Sequence, residues 1–345
     1  MVTSHDAALA PGYLQDIHLQ PEALERVLAA GLSPDVRALL EDAGQFDRIV
    51  MTGMGASLFG QYPSFLRLVG AGWPVWSVET AELLGPARGL ITGRTLLWIT
   101  SQSGGTAEAV ALLDQLQVRP AAILGITNDP ASPLAAAAST VLELHSGAEN
   151  TVSTRSYLNT LAASALATSH ILGEAPDREL ARAPERVADY LREWDRHTTA
   201  LDQALPESTM FILGRGASLA ATLTGSLIIK EAAGRSVEGL SVPQFRHGPL
   251  EMAGPDLSVI LLAGDPVDHA LNAAMRRDLT AFGARVAWLD TTIDSDGLSM
   301  PNLSGPVSRP IAEIIPLQLL SVILAERADH EPGTFHKIGK VTRSL

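Results

Sequence analysis

The chain repeats itself. Gly53-Met54-Gly55-Ala56-Ser57-Leu58 returns 161 residues later as Gly214-Arg215-Gly216-Ala217-Ser218-Leu219. Each copy follows a short apolar run, Arg48-Ile49-Val50-Met51 in one case and Met210-Phe211-Ile212-Leu213 in the other, and each precedes a helix-like stretch. About twenty residues on, Ser77-Val78-Glu79 is echoed by Ser236-Val237-Glu238. Then a second apolar run follows in both halves, Leu96–Thr100 and Val259–Leu262. A period this long is no solenoid. It describes two copies of one domain, which suits a chain of 345 residues, because single cores stop growing near roughly 250–300 residues.

Short apolar runs alternating with helical patterns specify parallel sheets covered by helices on both faces. The expected strands lie near 47–53, 74–79, 95–100, 121–126 and 140–144 in the first half, with a longer helix over about 152–173. In the second half they lie near 209–213, 235–239, 257–263 and 285–289. The fold class that follows is α/β: two tandem doubly wound parallel-sheet domains, flavodoxin-like, each a three-layer α/β/α sandwich. The expected organisation is a helical lead-in over 1–45, a first domain over 46–173, a charged and alanine-rich helical connector over 174–202, a second domain over 203–329 and a tail over 330–345. A helix over 311–327 is expected to pack back on the fold.

Composition removes several classes of function. The net charge of -13 disfavours nucleic acid as a partner. The absence of cysteine excludes disulfides, thiol catalysis and Cys-ligated zinc. The start, Met1 to Asp6, lacks the pattern of a signal peptide, and the apolar stretch from Ile311 to Ala325 is interrupted by Glu313 and Pro316. The expectation is therefore a cytoplasmic protein with no membrane segment.

The loop Ser101-Gln102-Ser103-Gly104-Gly105-Thr106 follows an expected strand and opens a helix. Parallel sheets bind ligands beyond the carboxyl ends of their strands. The glycines allow successive N–H groups to converge on an anion, and the helix N-terminus adds the positive end of its dipole. Ser101, Gln102, Ser103 and Thr106 add side-chain donors. The set suits a phosphate monoester. It is not the nucleotide loop, which requires Gly-Lys-Ser/Thr. The plain alternative is an N-capped helix after a polar turn. The corresponding place in the second half reads Ala263-Gly264-Asp265-Pro266-Val267-Asp268, with two carboxylates and a proline that would repel a phosphate.

Only three of the 25 basic side chains are lysines: Lys230, Lys337 and Lys340. A guanidinium stays protonated, whereas an amine can lose its proton and attack a carbonyl. Where arginine serves almost everywhere else, a lysine close to other motifs invites that reading.

Together these segments resemble the sugar isomerase (SIS) domain family, in the tandem form of the isomerase half of glucosamine-6-phosphate synthase and related sugar-phosphate deaminases and isomerases. The resemblance runs from Ile17-His18-Leu19-Gln20-Pro21 to Lys340-Val341-Thr342. The Ser101–Thr106 loop is similar to the family's phosphate-binding motif, with Gly105 where glutamate is common. Gly53–Ser57 resembles its sugar-contacting loop, and Gly147-Ala148-Glu149 with Val152-Ser153-Thr154-Arg155 resembles a third loop at the sugar. Lys230-Glu231 and Phe245-Arg246-His247-Gly248-Pro249 resemble the acid/base motifs. The resemblance implies substrate contacts from Ser57, Ser101, Gln102, Ser103, Thr106 and Ser153. It further implies Glu231 as the carboxylate that moves a proton between C1 and C2, and His247 as the ring-opening histidine supplied to the neighbouring subunit of a homodimer. Lys340 is the implied amine for the open-chain carbonyl, with Lys337 left open. Ile228 stands where the family can carry a further lysine.

No metal, no cofactor and, with roughly 45 residues ahead of the first expected strand, no glutamine-hydrolysing domain are expected. The implied activity is that of an aldose–ketose isomerase or amino-sugar 6-phosphate deaminase, with glucosamine 6-phosphate to fructose 6-phosphate and ammonia favoured. A deglycase of 6-phosphofructosyl-amines, a sugar-phosphate-binding regulator without catalysis and a sugar-ether lyase are the alternatives.

Overall fold

The computed structural model describes residues 12–149, 151–205, 209–291, 297–337 and 339–344. Residues 1–11 of the expected lead-in, and with them the expectation about the N-terminus, lie outside the described residues. So does Ile338 in the tail motif.

The chain forms two compact units. The N-unit holds the described residues of Glu22–Glu149, Arg155–Asp177 and His336–Leu345; the C-unit holds those of Met1–Pro21, Asn150–Thr154 and Arg178–Phe335. The chain therefore enters each unit more than once, and the described residues of the tail, 336–337 and 339–344, return to the N-unit.

The N-unit sheet has five parallel strands: β1 (Arg48–Gly53), β2 (Val75–Glu79), β3 (Thr95–Thr100), β4 (Ala122–Thr127) and β5 (Thr140–Glu143). Their spatial order is β2-β1-β3-β4-β5. The C-unit sheet repeats it with β6 (Thr209–Gly214), β7 (Val237–Ser241), β8 (Leu257–Leu262), β9 (Arg285–Asp290) and β10 (Gly297–Ser299), ordered β7-β6-β8-β9-β10. The architecture is thus the α/β, doubly wound pair expected from the repeat. Every residue of β3 and of β8 is buried, because helices cover both faces of a parallel sheet; this is why these strands read as unbroken apolar runs.

Register corrects one detail of the repeat. Gly53 lies opposite Glu79, while its counterpart Gly214 lies opposite Ser241. Glu79 and Ser241 are thus the equivalent residues, and each begins a short helix. The Ser-Val-Glu echo at 236–238 is three residues out of register with the fold. β10 was not expected at all: three residues are too few to show a period. It is held in part from outside the sheet, where the Tyr190 hydroxyl donates to the Ser299 carbonyl at 3.0 Å and His197 Nδ1 lies 3.2 Å from Ser299 Oγ. Tyr190 and His197 stack with ring centroids 3.7 Å apart. They come from the helices Arg178–Arg192 and Trp194–Ala204, which form in the stretch expected as a helical connector.

The C-unit is centred on the helix Ser308–Arg327, longer by three residues at its start than expected. Among the described residues it alone is long and apolar enough to cross a bilayer, and its apolar window is wholly buried. The helix Leu219–Ala233 lies against it so closely that a Cβ on Gly225 would come within 2.4 Å of Leu317 Cδ1. Glu313, buried in this helix, is answered by the Ser218 hydroxyl at 2.7 Å and by Arg309 Nε at 3.2 Å, and Arg309 also reaches Asp290 at 2.9 Å.

Candidate active site

In the N-unit, three loops leave the carboxyl ends of β1, β3 and β5. The β1 turn is set by glycine. Gly53 comes so close to the neighbouring strand that a Cβ would stand 2.9 Å from the Thr100 carbonyl, and Gly55 takes a φ of 52°, which costs a side-chain-bearing residue energy. Buried Gln61 donates to the carbonyls of Thr52 and Ser57, at 3.0 and 2.9 Å, and holds the turn that carries Ser57.

The β3 loop continues the sheet for one residue, with Ser101 N–H donating to the Ile126 carbonyl at 3.0 Å, and then turns. Gly104 N–H closes the turn onto the Ser101 carbonyl at 3.0 Å, at a φ of 59°. Gln102 is held through its backbone: its carbonyl accepts from Asn128 N–H at 2.9 Å and from the Thr127 hydroxyl at 3.2 Å. The Ser101 and Thr106 hydroxyls lie 3.3 Å apart, and Ser103 Oγ accepts from Gly105 N–H at 3.3 Å. Thr106 is the N-cap of the helix Ala107–Asp114, but its side chain does not cap it. So the plain alternative of a side-chain-capped helix is not what forms. The hydroxyls of Ser101, Ser103 and Thr106 belong to the turn that leads into a helix N-terminus whose first N–H groups have no side-chain acceptor from the cap residue.

The C-terminal tail reaches this loop. The Thr342 carbonyl accepts from Ala107 N–H, the first of the helix, at 3.0 Å. An open cleft of about 710 Å³ lies between Ser103 and Gly105 on one side and Val341 and Arg343 of the tail on the other. Two residues before Thr342, Lys340 Nζ sits 2.8 Å from Glu149 Oε2. Lys337 is exposed. Glu149 ends the loop after β5. Its side chain is fully shielded from solvent and accepts from Ser156 Oγ at 2.6 Å and Ser156 N–H at 3.2 Å. Tail, β3 loop and β5 loop thus gather Ser101, Ser103, Thr106, Glu149 and Lys340 in one unit. In the sequence Glu149 stands out only as part of the third loop, and Ser156, Asn128 and the Thr342 carbonyl carry no local signal of a role. The exception is the helix-start position of Ser156, which hints at a carboxylate partner.

The remaining expected residues lie in the C-unit. Glu231 is half-buried in the last turn of the helix Leu219–Ala233, beside exposed Lys230. His247 is exposed at the end of the short helix Val242–Arg246, its N–H on the Gln244 carbonyl at 3.1 Å. Ser153 belongs to the 150–154 segment of the same unit.

Comparison with known proteins follows the same division. A model of the SIS domain matches residues 45–169 and 205–296, more than half of the chain in two segments, one per sheet. The chain belongs to the SIS domain family. The glutamine–fructose-6-phosphate aminotransferase [isomerizing] of Pyrococcus horikoshii is 29% identical over 350 residues, which cover 95% of this SIS chain and 56% of that enzyme. The chain is homologous to the isomerase half of that protein, and it spans little more than half the length of the curated relatives it matches. Among solved structures, the C-terminal domain of glucosamine-fructose-6-phosphate aminotransferase from Francisella tularensis superposes with a TM-score of 0.81 at 19% identity, covering 96% of this chain and 99% of that one. Glucosamine-6-phosphate deaminase from Thermotoga maritima superposes with a TM-score of 0.76 at 20% identity, covering 95% and 98%. At these identities the likeness is one of fold, and it extends over both SIS units.

Proposed function

We propose that the chain is an enzyme acting on sugar 6-phosphates, which opens the sugar ring and moves a proton between C1 and C2. The favoured reaction is the deamination of glucosamine 6-phosphate to fructose 6-phosphate and ammonia. The observation that carries this reading is the Lys340–Glu149 pair, in the same unit as the Ser101–Thr106 loop and two residues before the Thr342 carbonyl that accepts from the helix following that loop. A protein that only bound sugar phosphates would need the loop alone. Holding a carboxylate out of water and bringing the tail back to neutralise it costs desolvation that mere binding does not repay.

The roles follow from the chemistry. The β3 loop takes the phosphate on N–H and hydroxyl donors, fixing the far end of the sugar. Lys340 supplies an amine for the open-chain carbonyl; the resulting imine draws electrons and acidifies the neighbouring C–H. Glu231 is assigned the C1–C2 proton and His247 the ring-opening proton transfer. The exposure of His247 agrees with its service to a second copy of the chain in a homodimer.

A panel of sugar and amino-sugar 6-phosphates, scored for ammonia and for ketose, tests the reading. Ammonia with equimolar fructose 6-phosphate from glucosamine 6-phosphate is expected; ketose without ammonia from an aldose phosphate would move the assignment to isomerase. Equal affinity for fructose and fructose 6-phosphate would end the phosphate assignment. Mixing inactive Glu231→Gln and His247→Ala proteins is expected to restore activity through hybrid dimers, and a fully active monomer would refute the shared site.

A further inference from the structure

The loop that ends in Glu149 is fixed with unusual completeness for irregular chain. Asn159 Nδ2 donates to the Leu144 carbonyl at 2.7 Å, and Arg26 Nε donates to that of His145 at 3.0 Å. Asn128 Oδ1 accepts from Ser146 N–H at 2.7 Å while its Nδ2 donates to the Gly147 carbonyl at 2.9 Å. Arg155 Nη2 donates to the Ala148 carbonyl. The carboxylate that follows is aimed at the first turn of the helix Arg155–Ile171, where Ser156 gives it both an N–H and a hydroxyl. Oε2 then takes the amine of Lys340, 191 residues away in sequence.

A carboxylate with no solvent exposure must carry a cation or lose its charge. The same bond imposes a problem on Lys340. An ammonium paired with a carboxylate at 2.8 Å is not a nucleophile, because its nitrogen lone pair holds a proton. The only short route for that proton within the pair is along the hydrogen bond, to Glu149 Oε2.

We propose that Glu149 is the proton relay of Lys340: it takes the ammonium proton when the amine attacks the substrate carbonyl and returns it when water leaves. The proposal rests on the reading of Lys340 as the imine-forming amine. The steps balance. Proton transfer from Lys340 to Glu149 gives a neutral amine and a carboxylic acid. The amine lone pair forms the N–C bond as the carbonyl π pair moves to oxygen, and an N-to-O proton shift gives the carbinolamine. Glu149 then protonates the hydroxyl, the C–O bond breaks, water departs and the nitrogen lone pair forms the C=N bond. The product is an iminium cation beside a carboxylate. Charge at the pair is the same before and after, so Glu149 faces a cation at both ends of the sequence and the buried negative charge is never left alone.

The test is borohydride trapping with fructose 6-phosphate, followed over pH, on the unmutated protein and on Glu149→Gln and Glu149→Asp. The unmutated protein is expected to trap one adduct on Lys340 with a rate nearly flat between about pH 6 and 8, since the proton moves inside the pair. Glu149→Gln keeps the shape of the side chain and its contact with Ser156 but takes no proton. Its trapping rate at pH 7 is expected to fall about 100-fold or more and to climb with pH, the range typical of losing a general acid–base group. Glu149→Asp, which keeps a carboxylate, is expected to recover part of the rate and the flat profile. Fructose 6-phosphate affinity is the control that each variant is folded. A Glu149→Gln protein that binds the sugar phosphate and traps as fast as the unmutated one, with the same pH profile, would overturn the relay and leave the imine intact. No adduct in the unmutated protein, or an adduct on Lys230 or Lys337, would overturn the imine reading and the relay with it.

Discussion

The loops after β3 and β8 occupy the same place in the two copies of one fold. Ser101 N–H extends the N-unit sheet onto the Ile126 carbonyl, and Ala263 N–H extends the C-unit sheet onto Leu289 in the same way, each at 3.0 Å. From there the paths differ. The β3 loop takes five residues to reach its N-cap, Thr106; the β8 loop takes two to reach Asp265. The extra residues make the turn at Gly104 and leave the helix without a side-chain cap. In the short loop the Asp265 carboxylate accepts from Val267 and Asp268 N–H, at 3.1 and 3.2 Å. The C-unit has built a carboxylate cap into the chain, whereas the N-unit helix has no side-chain cap from Thr106 and gives its first N–H to the Thr342 carbonyl of the tail. One duplicated element thus ends in a loop without a side-chain cap or in a carboxylate-capped one through three residues of length and one carboxylate.

The strongest attempt to break this comparison is at the glycines. A Cβ on Gly104 would lie 2.0 Å from Ser132 Oγ, and Ser132 is itself fixed as the cap of the helix Pro133–Ala137. Gly104→Ala is expected to abolish measurable fructose 6-phosphate binding by calorimetry, with backbone strain alone costing about 1–2 kcal/mol. The matched Gly264→Ala, also at positive φ, is expected to lower thermal stability and leave affinity unchanged. If both variants lose affinity alike, the two loops are not functionally distinct. Next come Ser103→Ala and Thr106→Ala, each expected to weaken binding of sugar phosphates by about 1.5–3 kcal/mol, roughly 10- to 150-fold in Kd.

A third test uses pH on the internal charges of the C-unit. Burial pushes Glu313 up to about 7, against the opposing pull of Arg309 and of the Ser218 hydroxyl. A folded-state value raised above the usual 4.5 means that the neutral form is favoured in the fold. Its stabilising contribution is fully present below that ordinary value and is lost as pH rises through about 7. Thermal melts are expected to show a decline from this group, on the order of 1–3 kcal/mol between pH 5 and 8, that Glu313→Gln removes. An unchanged profile in the variant would show that the carboxyl is ionised in the fold throughout.

The smallest effect is at Asp265. Asp265→Ala is expected to cost about 0.5–2 kcal/mol of stability through the lost cap, read by denaturant titration, with no change in sugar-phosphate affinity. It is also expected to bring the Asp268 carboxyl down, since burial first and the Asp265 charge second hold it above its ordinary range. Loss of affinity in this variant would mean that the closed loop still takes part in binding.

How far each of these features could be read from sequence depends on how local it is. The strands could be read to within about two residues, because a buried parallel strand must be apolar throughout. The Gly53 and Gly214 turns and the Ser101–Thr106 loop could be read because their backbone angles demand particular residues. The three-residue β10 could not, and neither could the register of β7, where a chance Ser-Val-Glu match pointed three residues away from the true counterpart of Glu79. Nor could the sequence say that Thr106 would leave its helix uncapped while Asp265 closed its own, since both residue types favour caps.

The sequence by itself determined the duplication, the two parallel sheets and the glycine-rich loop after β3 that is proposed to hold a phosphate. These are written in neighbouring residues, through periodicity and backbone preference. Only the tertiary structure decided that Lys340 meets Glu149, that Arg309 lies between Asp290 and Glu313, and that the described residues of the tail rejoin the unit of the β3 loop. The Lys340–Glu149 and Arg309–Asp290 pairs each match a charge withdrawn from water with a partner from another segment of chain. A lone charge cannot be buried, so folding must supply the second group, and nothing local to either residue names it.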